Sequence, residues 1–264
     1  MSIPASAPVA ASSPEPDSTA PAASAPVAAS SPEPASTPSA PTPASTPVVA
    51  PIPHSTTVSI DVYGDDEIAG FAVSDYGMLL LLTPSQPQSL QTLLQNEFSD
   101  NGISVNNHAT GGTSSSLMNE LDGMDGNGAP FAQRISASPA EIVVEEHSVN
   151  DALGGESLTN YQGYLVQWIQ AVRAVNKIPV LEEPGPVCDG NHPQLAQYVS
   201  AMDAAARQYG VTLIQQYAYI SNITGWCSHM GQGFYPDAYI AKLKAEQEQA
   251  VIAPLVLQIT QSPA

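Results

Sequence analysis

From residue 56 onward the hydrophobic positions follow two alternating periods. Val58-Ser59-Ile60-Asp61-Val62 places β-branched residues at every second position and breaks at Gly64-Asp65-Asp66, which predicts a strand with carboxylates at its carboxyl end. Leu90, Leu93, Leu94 and Phe98 then recur at spacings of three and four behind Thr83-Pro84-Ser85, predicting an amphipathic helix over 84–98. Asn101-Gly102 turns the chain into a short second strand, Ile103-Ser104-Val105, and the polar run Asn106 to Thr113 follows it. The hydroxyls of Ser114, Ser115 and Ser116 suit an N-cap for a helix through Leu117, Met118 and Leu121, and a glycine-rich loop covers 122–130.

The same alternation continues to the end of the chain. Strands are predicted over 140–145, 177–181 and 211–214, and helices over 158–176, 195–209 and 238–253, with Gly210 stopping the middle one. Short apolar strands alternating with helices predict an α/β fold, a three-layer α/β/α sandwich around a parallel sheet, as one domain over 56–264. Sites in such sheets gather at the carboxyl ends of the strands, so the polar loops after the strands are where chemistry is expected.

Residues 1–55 break the pattern. Up to Pro53 they contain no Lys, Arg or aromatic residue, and Ala5–Pro16 recurs unchanged as Ala23–Pro34. Such a composition cannot bury enough apolar surface to offset ordering entropy, so an Ala/Ser/Pro/Thr-rich disordered linker is expected, either a spacer or a dispensable tail. No signal-like apolar segment follows Met1, and the apolar runs at 77–83 and 250–257 are too short for a membrane span. Linkers of this kind commonly stand behind a removed signal or anchor. A secreted or cell-envelope location is therefore expected, and Cys188 and Cys227, both in loop-like surroundings, could form a disulfide in such a compartment.

Charge narrows the partners. Acidic residues outnumber basic ones 25 to 6, for a formal net charge of −19, and a field of that sign repels nucleic acid and anionic membrane surfaces. Asp65, Asp66 and Glu67 are adjacent, and adjacent residues rarely converge on one ion, so neither a metal nor a cofactor is expected. Asn222-Ile223-Thr224 is a glycosylation sequon, with meaning only in a eukaryotic secretory pathway.

Four polar loops remain: Gly64-Asp65-Asp66, Gly111-Gly112-Thr113, Val149-Asn150-Asp151, and the stretch from Ser228 to Tyr239 before the last helix. In order and spacing they resemble the SGNH (GDSL-type) hydrolases across 56–264. The resemblance implies a flavodoxin-like five-stranded sheet. It puts Asp66 at the nucleophile serine's position, Gly112 and Asn150 in the oxyanion hole, Gln232 at the aspartate's position and Tyr235 at the histidine's. The supporting positions are kept and the catalytic side chains are replaced.

Serine hydrolysis needs a hydroxyl and a base that accepts and later returns its proton. Tyr235 is a poor base near neutrality, and the charge of Asp66 would oppose a developing oxyanion. The expected function is therefore binding without cleavage, with acyl esters or O-acylated glycans as the ligands the resemblance implies. Two alternatives stand beside it. One is an ester hydrolase or acyltransferase with a rearranged site, such as Asp66 with His229 as substitute base, His147 being a second imidazole near Asn150. The other is a structural or assembly module on a tether. Oligomeric state cannot be read from the chain.

Overall fold

A computed structural model describes residues 57–261. The linker expected over 1–55 lies outside the described residues. The elements in chain order are β1 (Ser59–Tyr63), α1 (Asp66–Ala69), β2 (Phe71–Val73), β3 (Leu79–Leu81), α2 (Gln86–Phe98), β4 (Ser104–Asn107), α3 (Leu117–Asp122), α4 (Phe131–Ala137) and β5 (Ile142–Glu145). Then come α5 (Val149–Gly154), α6 (Leu158–Ala174), β6 (Ile178–Glu182), α7 (Leu195–Tyr209), β7 (Thr212–Ile214), α8 (Gln216–Ser221), β8 (Met230–Gly231), β9 (Tyr235–Pro236) and α9 (Ala238–Gln261).

The five parallel strands lie in the order β4-β1-β5-β6-β7, with β1 paired to both β4 and β5. The order reverses at β1, so a crevice opens at the carboxyl ends of β1 and its neighbours, where the loops diverge. β5 is buried along its whole length and β1 at every residue but the first, because each sheet face has its own core. On one side Trp168, Tyr161, Leu165 and Phe131 of α6 and α4 pack with Val143 and Leu181. On the other, Leu90, Leu94, Ile252 and Val256 of α2 and α9 pack with Ile60, Val62 and Val144. Each fully buried Leu or Ile contributes about 1.5–3 kcal/mol, so the two layers hold the sheet from both sides.

Several regions carry more structure than the hydrophobic periods predict, three of them tied to the packing. Residues 71–81 form the antiparallel β2–β3 hairpin, apart from the central sheet. The stretch after the glycine-rich loop forms α4, anchored by buried Phe131 and Ile135. The last helix runs past Pro254 to Gln261, with Val256 and Ile259 buried beyond the proline.

Candidate active site

β1 delivers Gly64-Asp65-Asp66 to the crevice. A side chain at Gly64 would meet Ile68 Cγ1 at 2.7 Å and Glu146 Oε2 at 3.0 Å, so glycine alone permits the turn. Asp65 then caps α1, accepting from the Glu67 N–H at 3.3 Å. Burial pushes the Asp65 carboxyl up to about 7, against the lowering effect of His147, with Glu67 and Asp66 adding to the rise.

Asp66 is buried, and its carboxylate is fully engaged. Oδ1 accepts from the Gly112 N–H at 3.0 Å, and Oδ2 accepts from Asn150 Nδ2 at 3.0 Å. Gly112 sits in the turn after β4 with φ +96, and Asn150 stands at the start of α5, where its own N–H reaches Asp65 Oδ2 at 3.4 Å. Thus Asp66, Gly112 and Asn150, singled out from three loops, come together in one hydrogen-bonded unit.

Tyr235 lies on β9 and is partly buried, its ring 3.8 Å from that of Phe234. Burial first, then the charges of Asp66 and Asp65, hold its phenol above its ordinary range, so it is a neutral hydroxyl. Among the described residues no hydrogen bond joins it to Asp66. Gln232 is exposed at the hairpin turn, with φ 53. His229 is held by Asp237 at 2.8 Å through Nδ1 and rests on the Tyr239 ring at 4.7 Å.

No family model matches the chain. No curated protein matches it either. Solved structures do match, each over about three quarters of this chain and nearly all of its own. An acetylxylan esterase, Axe2 from Geobacillus stearothermophilus, is 14% identical with a TM-score of 0.58, covering 77% of this chain and 96% of its own. The psychrotrophic esterase EstA from Pseudoalteromonas sp. is 18% identical with a TM-score of 0.57, covering 75% and 98%. A member of the lipolytic protein G-D-S-L family from Veillonella parvula DSM 2008 is 15% identical with a TM-score of 0.57, covering 74% and 98%. The fold is that of the SGNH hydrolases.

On this SGNH scaffold the structure brings together two further constellations that sequence reasoning missed. The first lies beneath the Gly112 turn. Ser115 Oγ is 3.1 Å from His147 Nε2, while His147 Nδ1 is 2.8 Å from Glu145 Oε1 and 3.2 Å from Glu120 Oε2. Burial alone would lower the His147 pKa, but the charges of Glu145 and Glu120 raise it well above its ordinary value. That shift favours the protonated ring, whose Nδ1 faces the two carboxyl groups and whose Nε2 faces Ser115 Oγ. Glu120, Glu145 and His147 place three ligand-type atoms within 4.8 Å of one another. His147 and Glu145 are two residues apart, but Ser115 lies 32 residues before His147, so no local spacing reveals the set.

The second constellation was visible. Asp189-Gly190-Asn191-His192-Pro193 has the spacing of an aspartate, two residues, then His-Pro, but it stands before α7 instead of α9. His192 Nδ1 meets Asp189 Oδ2 at 2.9 Å and Oδ1 at 3.0 Å. Burial would raise the Asp189 carboxyl, yet hydrogen bonds from His192 and Asn191 hold it below its ordinary value. His192 Nε2 is buried without a hydrogen bond, and the ring packs on Phe234 at 5.6 Å. A Cys188–Cys227 disulfide and a 2.7 Å bond from the Cys188 N–H to the Gly233 carbonyl bind this loop to the segment carrying Tyr235. Gly233, with φ +86, lies so close to Asp189 that any side chain would come within 2.6 Å of its backbone.

Proposed function

We propose that this domain binds acyl esters, with O-acylated glycans as the favoured class, and does not hydrolyse them by serine chemistry. The observation that carries the reading is the Asp66 carboxylate seated on both the Gly112 N–H and Asn150 Nδ2. An oxyanion hole acts through donors about 2.7–3.1 Å from the oxygen on which charge develops. Here the Asp66 side chain already satisfies those donors. To attack an ester, Asp66 would have to leave them and form a reactive anhydride, with neutral Tyr235 in place of a base. The esterase names of the structural neighbours support an ester-bearing ligand. The disulfide supports an oxidising, extracellular setting, and no helix among the described residues is long and apolar enough to cross a membrane.

The test is an assay of the full chain on short-chain p-nitrophenyl esters and acetylated xylo-oligosaccharides, with calorimetry on acetylated and deacetylated oligosaccharides. The unaltered chain is expected to bind the acetylated form preferentially without turnover. The combined variant Asp66→Ser, Gln232→Asp, Tyr235→His is expected to gain measurable turnover. Robust hydrolysis by the unaltered chain overturns the reading.

One observation favours a second reading, an active enzyme with a relocated base: the Asp189–His192 pair, whose Nε2 has no hydrogen bond. It predicts that His192→Ala abolishes an activity that His229→Ala leaves intact. Loss with His229→Ala alone would instead favour Asp66 working with His229.

A further inference from the structure

Among the described residues β3 pairs only with β2, in the register Phe71↔Leu81, Ala72↔Leu80, Val73↔Leu79, so its outer edge offers unpaired backbone groups. Leu79, Leu80 and Leu81 are 51%, 39% and 60% exposed, and Tyr76 and Met78 in the turn are 88% and 64% exposed. Half of the large apolar side chains exposed among the described residues therefore cluster within 76–81. Successive strand residues point to opposite faces, so both faces of β3 are apolar and open to water. In a chain of net charge −19, residues 71–84 carry a single charge, Asp75.

We infer that β3 is a self-association edge. A second copy of this chain adds its own β3 antiparallel to it, about a two-fold axis through Leu80, joining the two hairpins into one four-stranded sheet. The unpaired edge and the leucines demand the same partner, an uncharged extended strand. A lipid surface would cover the leucines but leave the backbone N–H and C=O groups unsatisfied. Two-fold pairing sets Leu79 opposite the partner's Leu81 and Leu80 opposite the partner's Leu80, so no like charges meet across the strands.

Elsewhere the two acidic bodies repel one another. The contact is confined to the hairpin, weak, and strengthened when salt screens that repulsion. The hairpin also borders the candidate active site, with the Phe71 ring against Gly111 and Val73 against Gly231. Pairing would therefore hold one rim of the crevice in place.

The experiment is sedimentation velocity on the full chain from about 1 to 500 µM, the range in which so small an interface should associate, at low and high salt. The 27.4 kDa chain should move toward twice that mass as concentration rises, and at lower concentration in high salt. Leu80→Lys, which sets two ammonium groups face to face on the axis, should weaken association about tenfold or more. Leu257→Lys, on an exposed apolar position of α9, should leave it unchanged. Should Leu80→Lys melt early, Leu81→Lys at a more exposed position repeats the test. A monomer throughout, or a dimer unaffected by Leu80→Lys, overturns the inference. So does flotation of the monomer on phosphatidylcholine vesicles that Leu80→Lys abolishes, which would assign the edge to lipid. Slow amide exchange at 79–81 in a monomer would assign it to residues 1–56 and overturn it equally.

Discussion

Two constellations lie close together at the carboxyl edge of the sheet, and each has what the other lacks. At the crevice, the Gly112 N–H and Asn150 Nδ2 present two hydrogen-bond donors side by side, but what they hold is a carboxylate and not a hydroxyl. Below it, Ser115, His147 and Glu145 form a series of hydroxyl, imidazole and carboxylate at 3.1 and 2.8 Å, the spacing of a working triad. Yet Ser115 and Glu145 are 0% exposed and His147 is 1% exposed, and the raised pKa of the ring favours the form that already carries the proton it would need to accept. Distance alone does not make a nucleophile. Access and protonation state decide, and by both measures the inner constellation is a charge clamp.

The sharpest way to break that comparison is to remove the clamp. His147→Gln takes away the imidazole that pairs with both Glu120 and Glu145, and breaking a buried ion pair should cost about 3–5 kcal/mol. Urea unfolding followed by circular dichroism would measure it. A variant of native stability that had lost ligand binding would make the inner constellation part of the site.

A smaller effect of the same origin should appear on titration. Asp65 and Glu120 are pushed up to about 7 and Asp151 to about 6, burial being the first cause in each. Their reference values are 3.8, 4.5 and 3.8, so the folded chain holds protons that the unfolded chain releases between roughly pH 4 and 7. Stability from these groups is complete below about pH 4 and is lost as pH rises through 6 to 7. His147, raised above its ordinary value, acts in the same sense. Asp61 and Asp189 act oppositely. Burial alone would raise both, but His108, Ser138 and Asn106 lower Asp61, and His192 and Asn191 lower Asp189, so each favours the fold above its unfolded pKa. The raised set is larger and more deeply buried. Between pH 5 and 8 Asp61 and Asp189 are ionised in the folded and the unfolded chain alike and add no slope, so melting should come at higher temperature at pH 5 than at pH 8. A maximum near pH 8 would mean that the buried carboxyls are ionised in the folded chain.

The outer constellation was legible in the sequence and the inner one was not. Strand ends in a parallel sheet converge on one crevice, so Asp66, Gly112 and Asn150 could be grouped once three strands were read from their β-branched periods. That Asp66 would occupy the donors was not legible, because strand patterns do not fix a side chain's direction at a helix cap. Ser115 and His147 lie on different elements, and only tertiary packing joins them. Pro254 reads as a helix stop, yet burial of Val256 and Ile259 carries α9 past it. The seven residues of α4 are too few to establish a helical period, and the leucines of β3 face water, so they match no core pattern. Asp189 and His192 were in plain view, but a motif expected before the last helix was sought only there.

The finest test of the comparison is Ser115→Ala. Ser115 Oγ lies 3.1 Å from His147 Nε2, 3.4 Å from Thr110 Oγ1 and 3.5 Å from the Gly64 carbonyl. Removing it leaves His147 Nε2 without its partner while Glu145 and Glu120 still hold the other nitrogen, so the loss should be about 1–2 kcal/mol, well short of that for His147→Gln. Because the hydroxyl is sealed from the crevice, affinity for an acetylated oligosaccharide and any ester turnover should stay as in the parent chain. Calorimetry and a p-nitrophenyl acetate assay on the folded variant read both. If either fell while the fold held, Ser115 would be reaching the ligand, and the inner constellation would have to be counted as chemistry with a hidden entrance.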